Sequence, residues 1–433
     1  MDTICAISTA VGNGGVAIIR ISGDNALAVG GSVFEKLKRN PQPRLALFGE
    51  LCFDNVRDEA LALYFAAPHS FTGEDVVELQ IHGGYYLAQS LVKYLTKHGA
   101  RLAERGEFSR RAVLNGRMDM SKAEGIIDLI NATSASQLRA GSSLLAGAMT
   151  EFVTALQDEL TELLCEVNVA LDYPEHDIEY ITAQKIAKKC KEINQKIIKK
   201  LSTADTGLMI KNGVNVVLAG RPNAGKSSLL NALLGYERAI VTDIAGTTRD
   251  TVSDSYEYNG VRFNIIDTAG LRDTSDIVEG AGIDRAKREI DHADIVLHLI
   301  DATAPDETEI KAQNVLKVLN KIDVKSAKNL ACDAQISAKT GAGVYELKQL
   351  IFDKTINSSV LLDGDFLTNT RHIECLHAAS LALLDTIQNC DSATIDCLAV
   401  TLMQAWNKLG EITGESANEK ILNEIFARFC LGK

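Results

Sequence analysis

The stretch VNVVLAGRPNAGKSSLLNALLG, residues 214–235, decides the fold of the middle of this chain. An apolar run typical of a buried strand leads into a glycine-rich segment, and that segment opens a second apolar run with helical spacing. Residues 220–228 fit the pattern G-x-x-x-x-G-K-[ST], whose backbone N–H groups cradle phosphates at a helix N-terminus. Alone, the pattern also fits a glycine-rich turn before an ordinary helix. It predicts a strand, a loop and a helix, with Lys226 placed to neutralise phosphates and Ser227 to ligate magnesium.

Four more motifs follow in the order that a GTP site requires. GTTRD (246–250) supplies a second magnesium hydroxyl from Thr248, and DTAG (267–270) supplies a metal-shell carboxylate and the Gly270 N–H for the γ-phosphate. NKID (320–323) ends in Asp323, whose two oxygens accept from guanine N1–H and N2–H₂, a pair of donors that adenine lacks. Asn320 and Lys321 brace that loop, and SAKTG (337–341) surrounds the base. Besides Lys226 and Ser227, the predicted GTP-binding residues are Asn223, Ala224, Gly225, Ser228, Thr242, Asp243, Ile244, Ala245, Gly246, Thr247, Thr248, Asp267, Thr268, Ala269, Gly270, Asn320, Lys321, Asp323, Ser337, Ala338 and Lys339.

The residue after DTAG raises a question about catalysis. Ras-like switches place there a glutamine that orients the attacking water, whereas this chain has Leu271, which cannot form a hydrogen bond. Arg249 and Arg272 flank the two switch motifs and are alternatives as charge-compensating groups. A nucleotide-sensing scaffold without meaningful turnover is a further alternative.

Periodicity divides the chain into four segments. Residues 1–117 predict an α+β domain, with strands in GGVAIIRISG (14–23) and DVVELQIHGG (75–84) and an amphipathic helix ended by Gly99. Residues 118–212 predict helices, with an apolar seam that steps by three and four from Leu145 to Ala170. Residues 213–357 alternate strands and helices, which is typical of a parallel sheet, and residues 358–433 return to a helical pattern. The prediction is a multidomain protein in which an α/β domain is inserted into a helical domain. The segments 302–319 and 324–336 are short for full crossover helices.

Composition limits the classes of function. The 433 residues carry a net charge of −12, and 46% are apolar, as in an ordinary soluble protein. The nine cysteines include no C-x-x-C pair, which favours a protein without disulfides or a zinc site. The sequence has no apolar run of membrane length and no basic leader, so we expect a cytoplasmic protein.

The negative charge argues against general coating of nucleic acid but allows local basic patches. One candidate patch is the lysine stripe in KIAKKCKEINQKIIKK (185–200), for which a solvated helix face is the favoured interpretation. That stripe consists of Lys185, Lys188, Lys189, Lys196, Lys199 and Lys200. The second cluster consists of Arg105, Arg110, Arg111 and Arg117.

Three further stretches extend the similarity beyond the GTP motifs. The α/β segment resembles small GTPases of the Era/MnmE group, and STAVGNGGVAIIRISG (8–23), FTGEDVVELQIHGG (71–84) and the terminal FCLGK (429–433) resemble the MnmE family of tRNA uridine-modification GTPases. The resemblance covers nearly the whole chain. It implies an N-terminal folate-binding and dimerisation domain at 1–117, a helical domain in two parts at 118–212 and 358–433, and an inserted Ras-like G domain at 213–357.

The resemblance also implies roles for individual residues. In place of the glutamine, potassium would be bound by Asn223, Thr242, Ile244 and Thr247, and Glu279 would orient the water. A 5-formyl- or 5,10-methylene-tetrahydrofolate would be bound by Arg20, Glu78, Arg117 and Lys433, with an arginine at 117 where relatives have lysine. Cys430 is a candidate catalytic thiol, with burial in the last helical turn as the alternative.

The function implied is potassium- and magnesium-dependent GTP hydrolysis by a homodimer. With a flavin-dependent MnmG/GidA partner, such a protein adds a carboxymethylaminomethyl or aminomethyl group to C5 of the wobble uridine of certain tRNAs. A ribosome-assembly GTPase of the Era or Der type is the rival within the GTPases, and FCLGK together with the N-terminal segment argues against it.

Overall fold

A computed structural model describes residues 2–10, 12–172, 183–235, 254–267, 288–305, 310, 312–324, 331–364, 366–415, 425–427, 429 and 432. The strands are β1 (Ile4–Ile7), β2 (Val16–Ser22), β3 (Leu47–Phe53), β4 (Val56–Phe65), β5 (Val76–His82), β6 (Arg101–Leu102), β7 (Val214–Ala219), β8 (Asp254–Tyr258), β9 (Val261–Asp267), β10 (Ile295–Asp301), β11 (Val315–Asn320) and β12 (Ala334–Gln335).

The helices are α1 (Ala26–Gly31), α2 (Tyr85–Lys97), α3 (Glu107–Leu114), α4 (Met120–Asn131), α5 (Ala135–Ala146), α6 (Ala148–Asp172), α7 (Ala183–Leu201), α8 (Ala204–Asn212), α9 (Lys226–Leu234), α10 (Val344–Thr355), α11 (Ser358–Asp363), α12 (Thr370–Asn389) and α13 (Ile395–Thr413). Two compact units can be distinguished. Unit 1 comprises Met1–Ile127, Leu144–Glu162 and Trp406–Lys433, and unit 2 comprises Asp128–Ser143 and Leu163–Ala405.

Unit 1 contains a six-stranded sheet in the order β3-β4-β5-β2-β1-β6, in which only β1 and β6 are parallel. Apolar residues alternate along β2 and β5, so that Ile19, Ile21 and Leu79 enter the core formed with α1 and α2. Gly99, with φ +104°, follows the end of α2, and the N–H of Ala100 donates to the carbonyl of Leu95. The predicted α+β segment is therefore confirmed, including both strands and the helix.

Beyond the sheet, unit 1 gathers segments that are distant in sequence. Phe426 and Phe429, from the C-terminal region, pack on Ala123 of α4. The Thr150 hydroxyl donates to Asp119 Oδ2 at 2.7 Å and so joins α6 to the residue before α4. These contacts place the C-terminal motif in the same unit as the N-terminal sheet.

Unit 2 contains the second sheet, in the order β12-β11-β10-β7-β9-β8, with every pair parallel except β8 and β9. All residues of β7 and β10 except Asn215 and Asp301 are buried, which is typical of a parallel sheet covered on both faces. The pattern of residues 213–357 predicts strands alternating with helices, and β7, β9, β10 and β11 form within it as a parallel sheet, which confirms the α/β class.

Helices also occupy unit 2. Asn194 of α7 accepts from the Ser380 hydroxyl of α12 at 2.6 Å in a buried contact. At the N-terminus of α5, the Ser136 N–H donates to Gly260 O in the β8–β9 turn at 3.0 Å, and Arg262 of β9 donates to the Thr133 hydroxyl at 3.2 Å.

The predicted apolar seam is confirmed along α6, where Met149, Leu156 and Leu160 are buried, but not at its first member. Leu145 lies in α5 and is 40% exposed, because Gly147, with φ +101°, separates the two helices.

The short connection after β10 does not disturb the sheet. Residues 302–305, 310 and 312–314, which are the described part of that connection, contain no helix. Nevertheless β10 and β11 stay in parallel register over six residue pairs, ending at Asp301 and Asn320.

Among the described helices, none is long and apolar enough to cross a membrane.

Candidate functional site

The phosphate-binding loop connects β7 to α9. Gly225 is the residue before the helix and has φ +97°, a left-handed conformation that glycine adopts without strain. The Lys226 ammonium folds back over the loop and donates to Gly220 O at 2.8 Å and Arg221 O at 2.9 Å. Lys226 is only 8% exposed, so its ammonium is a largely shielded cation at the centre of the loop, suited to phosphate oxygens.

The NKID loop is tied to the phosphate-binding loop by two side chains. Asn320 is 2% exposed, its Nδ2 donates to Ala224 O at 2.9 Å, and its Oδ1 accepts from the Ala338 N–H at 3.0 Å. Lys321 donates to Asn223 O at 2.8 Å. Three separate motifs, those at 220–228, 320–323 and 337–341, are thus held together at one place.

The carboxylate predicted to read the base is also positioned by its neighbours. The Ser337 hydroxyl donates to Asp323 Oδ1 at 2.7 Å, while Asp323 as a whole is exposed. The carboxylate is therefore fixed in direction and open to a ligand.

Asp267 ends β9, and in the register of the sheet it lies opposite Leu218 of β7, two residues before Gly220. The carboxyl ends of parallel strands meet at one edge of the sheet, so Asp267 lies beside the phosphate-binding loop. Ser227 is exposed in the first turn of α9. A carboxylate and a hydroxyl are oxygen ligands of the kind that magnesium takes, so these residues fit the metal.

The other predicted residues of this site lie outside the described residues. They are Thr242, Asp243, Ile244, Ala245, Gly246, Thr247, Thr248, Thr268, Ala269, Gly270 and Glu279. The same holds for Arg249, Leu271 and Arg272, and for Cys430 and Lys433 at the C-terminus.

The predicted folate residues Arg20 and Glu78 are partners on neighbouring strands of unit 1. Both Nε and Nη2 of Arg20 lie 2.8 Å from Glu78 Oε1, and the guanidinium lies 5.2 Å from the Phe71 ring centre and 5.7 Å from that of Phe108. Arg117, which is exposed, donates to Ser70 O at 3.1 Å, next to Phe71 in the chain. The structure therefore brings Arg20 and Glu78 into contact, and it places Arg117, which follows α3, against the loop that carries Phe71.

The C-terminal motif reaches the same face of the sheet. The Ser8 hydroxyl donates to Gly432 O at 3.1 Å, and Ser8 is two residues beyond Ala6, the register partner of Arg20. Because side chains two residues apart share a face, Ser8 and Arg20 project on the same side.

The predicted arginine cluster is not a uniform basic surface. Arg111 is 5% exposed and donates to Glu74 Oε2 at 3.1 Å, Glu107 Oε1 at 2.9 Å and Asp2 Oδ1 at 2.7 Å. Its charge is therefore neutralised inside unit 1, and it is unavailable to RNA phosphates. Burial raises the pKa of Glu107, but hydrogen bonds from Arg101, the Glu104 N–H and Arg111 outweigh it and hold that pKa below its ordinary value.

One residue of the nucleotide site was missed by sequence reasoning. Asp301 ends β10 and accepts from Lys321 Nζ at 2.6 Å. The signal was present in HLIDA, because a carboxylate at the carboxyl end of a buried strand lies at the ligand-binding edge of a parallel sheet.

Two family models and several known proteins match this chain. The family model for the MnmE helical domain matches residues 120–430, and that for the GTP-binding protein TrmE N-terminus matches residues 3–117. The tRNA modification GTPase MnmE of Clostridioides difficile is 38% identical over 455 residues, covering 100% of this chain and 99% of the relative. That of Acetivibrio thermocellus is 39% identical over 456 residues, with the same coverage of 100% and 99%. Among solved structures, the G domain of the T. maritima FeoB iron transporter is 28% identical over 33% of this chain and 98% of that chain, with a TM-score of 0.24.

Proposed function

This chain belongs to the MnmE family of tRNA modification GTPases and is a GTP hydrolase, and on that premise we propose that its GTP site consists of the loops 220–228, 320–323 and 337–341. The observation that carries this proposal is the Asn320 bridge, in which one buried amide joins the phosphate-binding loop to both base-binding loops. A ligand with phosphates at one end and guanine at the other fits loops that are already held together.

Base recognition is assigned to Asp323. Its Oδ1 accepts one hydrogen bond from the Ser337 hydroxyl, which orients the carboxylate, and each of its two oxygens keeps a lone pair for a ligand that offers two adjacent N–H donors. Guanine offers them and adenine does not. Lys226 neutralises phosphate charge, and Ser227, Thr248 and Asp267 supply the magnesium shell.

In place of the missing glutamine we propose a potassium ion, which oxygens of Asn223, Thr242, Ile244 and Thr247 would hold. When bound, it supplies positive charge near the transferring phosphoryl group. The side chain of Asn223 is exposed at the phosphate-binding loop, and an amide oxygen suits a hard cation. Glu279 orients the attacking water. In GTPases that use an arginine instead of a cation to compensate the phosphoryl charge, the arginine raises the hydrolysis rate roughly 10³- to 10⁵-fold.

The N-terminal site is proposed to bind a tetrahydrofolate that carries a one-carbon unit. Its residues fit that ligand, because a guanidinium and a carboxylate beside two aromatic rings offer both charged partners and a stacking surface. Arg20, Glu78, Arg117 and Lys433 would hold the folate, and Cys430 would act beside it as a thiol. The Ser8–Gly432 hydrogen bond supports this assembly, since it places the residue before Lys433 on the Arg20 face.

The biological reaction proposed is addition of a carboxymethylaminomethyl or aminomethyl group to C5 of the wobble uridine of certain tRNAs. The chain would act in the cytoplasm as a homodimer, with an MnmG/GidA flavoprotein supplying the redox step. The match of residues 3–117 to the TrmE N-terminus favours this over a ribosome-assembly GTPase, which has no such domain.

The test compares GTP turnover in potassium and in sodium at equal ionic strength. Asn223 has φ +63°, so Asn223→Gly removes the side-chain oxygen without straining a left-handed residue, as alanine would. Asn40→Gly makes the same exchange at φ +50° in unit 1 and is the matched control. We expect potassium to accelerate the wild type and Asn40→Gly at least tenfold, and Asn223→Gly to lose that response. Equal rates in both salts for the wild type would overturn the potassium assignment.

A further inference from the structure

A carboxylate outside the recognised GTP motifs contacts the nucleotide site. Asp301 is the last residue of β10 and lies opposite Asn320 in the register with β11. Its Oδ2 accepts from Lys321 Nζ at 2.6 Å, and the two side chains are 17% and 33% exposed. The ion pair is therefore partly shielded from water and has short, charge-assisted geometry.

The direction of the Asp301 carboxylate is fixed from its other side. Oδ1 accepts from the Thr303 N–H at 2.8 Å and from the Thr303 hydroxyl at 2.7 Å. Burial raises the pKa of Asp301, but the hydrogen bonds from Lys321 and Thr303 outweigh it, so that the pKa is below its ordinary value of 3.8. Asp301 is consequently a fixed anion at neutral pH.

Lys321 connects this anion to the phosphate-binding loop. Its backbone has φ +68°, uncommon for a non-glycine residue, and its Nζ donates at once to Asp301 Oδ2 and to Asn223 O. Among the described residues, Asp301 and the Asn223 carbonyl are the two acceptors of Lys321 Nζ, so without Asp301 the Asn223 carbonyl alone would direct this long and flexible side chain. The anion therefore selects the one arrangement of Lys321 that closes the base loop onto the phosphate-binding loop.

We propose that Asp301 is a positioning residue for guanine nucleotide binding, which acts through Lys321 to hold the base loop against the phosphate-binding loop and so to slow nucleotide release. This inference rests on the proposed GTP site. Asp301 does not contact the reacting phosphates, so it sets nucleotide affinity rather than the rate of the chemical step.

The experiment measures release of a fluorescent GDP analogue and the kcat and KM of GTP hydrolysis for Asp301→Asn. The amide keeps one oxygen that accepts from Thr303, and it replaces the charged oxygen that accepts from Lys321 by an NH₂ group, which cannot accept from the ammonium. We expect release and KM to rise about tenfold, corresponding to the loss of one charge-assisted hydrogen bond, with kcat changed less than twofold. Asp353→Asn removes an exposed carboxylate of α10 that accepts from Gln349, and it should behave as the wild type.

A double-mutant cycle separates positioning from general destabilisation. If Asp301 acts through Lys321, Lys321→Ala should raise the release rate, and adding Asp301→Asn should raise it less than twofold further. A thermal melt of each variant identifies loss of folding, and Lys321→Ala breaks the same ion pair from its more exposed side should Asp301→Asn fold poorly.

The outcomes distinguish this inference from the proposed GTP site. If the wild type binds GDP and Asp301→Asn releases it at the wild-type rate, the positioning role is wrong and the GTP site stands. If the double variant raises the release rate by the product of the effects of Asp301→Asn and Lys321→Ala, Asp301 does not act through Lys321. If the wild type binds no guanine nucleotide, the GTP site itself is wrong, and this inference falls with it.

Discussion

Arg20 and Glu78 face each other across β2 and β5, with both Nε and Nη2 of Arg20 at 2.8 Å from Glu78 Oε1. The side chains are only 17% and 16% exposed, so each charge depends on the other for compensation. Glu78 Oε2 is the carboxylate oxygen that these contacts leave for a ligand. An incoming folate would therefore meet a preformed pair rather than two independent charges.

The first prediction is that Glu78→Gln weakens binding of 5-formyl-tetrahydrofolate about tenfold to a hundredfold. The substitution keeps the shape but removes the anion that accepts from ring N–H groups, and one charged hydrogen bond contributes about 1.5–3 kcal/mol. Isothermal titration calorimetry measures the affinity. Glu59→Gln, an exposed residue of the neighbouring strand β4, is the matched control and should bind as the wild type. Unchanged affinity in Glu78→Gln would mean that the Arg20–Glu78 pair is purely structural.

The second prediction concerns Gly225, where a Cβ would lie 2.2 Å from Asn320 Nδ2. Gly225→Ala must displace the amide that bridges the phosphate-binding and base loops, and it also strains a residue with φ +97°. We expect guanine nucleotide affinity to fall at least a hundredfold and the free energy of unfolding to fall by about 1–3 kcal/mol. Titration with a fluorescent GDP analogue and thermal melting measure the two effects.

Gly364→Ala is the control for Gly225→Ala. Gly364 also has a left-handed backbone, with φ +68°, but a Cβ there would meet no atom of the described residues within 4 Å. In Gly364→Ala the free energy of unfolding should fall by about 1 kcal/mol from backbone strain alone, and the nucleotide affinity should stay that of the wild type. If both glycine variants weaken nucleotide binding equally, the clash with Asn320 is not the cause of the lost affinity in Gly225→Ala.

Local pattern was enough to predict the strands and the phosphate-binding loop. Mostly apolar runs such as 214–219 and 295–301 encode buried parallel strands, and Gly225 before Lys226 encodes a loop that opens a helix. The role of Asn320 and Lys321 as braces also followed from the NKID motif, and the structure supplies the carbonyls that they contact.

Pairing between distant residues was not predictable in the same way. Arg20 and Glu78 are 58 residues apart, and Arg111 and Asp2 are 109 apart, so their contact depends on strand order and helix placement rather than on spacing. For this reason, four arginines in one stretch suggested a basic cluster although Arg111 is surrounded by carboxylates. Leu145 departs from its predicted seam because a single glycine, Gly147, interrupts the helical period.

The third prediction is that the lysine face of α7 is solvated. The opposite stripe, including Ile186, Cys190 and Ile193, is buried, as the pattern predicts. Replacing three lysines of α7 by glutamine should change the free energy of unfolding by less than about 0.5 kcal/mol and leave the salt dependence of tRNA binding unaltered. The substituted residues are Lys188, Lys189 and Lys199.

A second triple variant controls for the change in net charge. It replaces the same number of exposed lysines in unit 1, namely Lys36, Lys93 and Lys97. The logarithm of the tRNA association constant falls as the logarithm of the salt concentration rises. If only the α7 variant makes this fall less steep, by about 2–3 in slope, α7 contacts RNA phosphates and the solvated interpretation is wrong.

The fourth prediction is that unit 1 loses stability in acid through the carboxylates around Arg111. Hydrogen bonds from Arg101 and Arg111 hold the pKa of Asp2 below its ordinary value against the effect of burial, and the pKa of Glu107 is lowered by the same two arginines. A carboxylate whose pKa is lowered by folding stabilises the folded state most above its unfolded pKa. That contribution is lost as the pH falls through the lower, folded value. For Glu107 it is complete well above pH 4.5, the ordinary value, and declines below it.

Glu107→Gln tests this prediction, because it removes the titrating group while keeping a polar side chain of the same size. At pH 7 we expect it to lower the free energy of unfolding by about 2–4 kcal/mol, since Arg111 would remain buried with one partner fewer. The deficit should shrink as the pH falls below 4.5, the ordinary value, because the wild type then loses the stabilisation that the charge of Glu107 provides. Glu104→Gln, an exposed neighbour, should stay within about 0.5 kcal/mol of the wild type at every pH.

The single tryptophan allows the measurement to follow unit 1 specifically. Trp406 donates from Nε1 to the Thr161 hydroxyl at 3.0 Å, and both residues belong to the unit that contains Glu107. Urea unfolding followed by tryptophan fluorescence at pH 7 and at pH 3.5 therefore reports the stability of that unit. A deficit of Glu107→Gln that stays constant between the two pH values would show that Glu107 contributes through packing and not through its charge, because only the charge is removed by protonation.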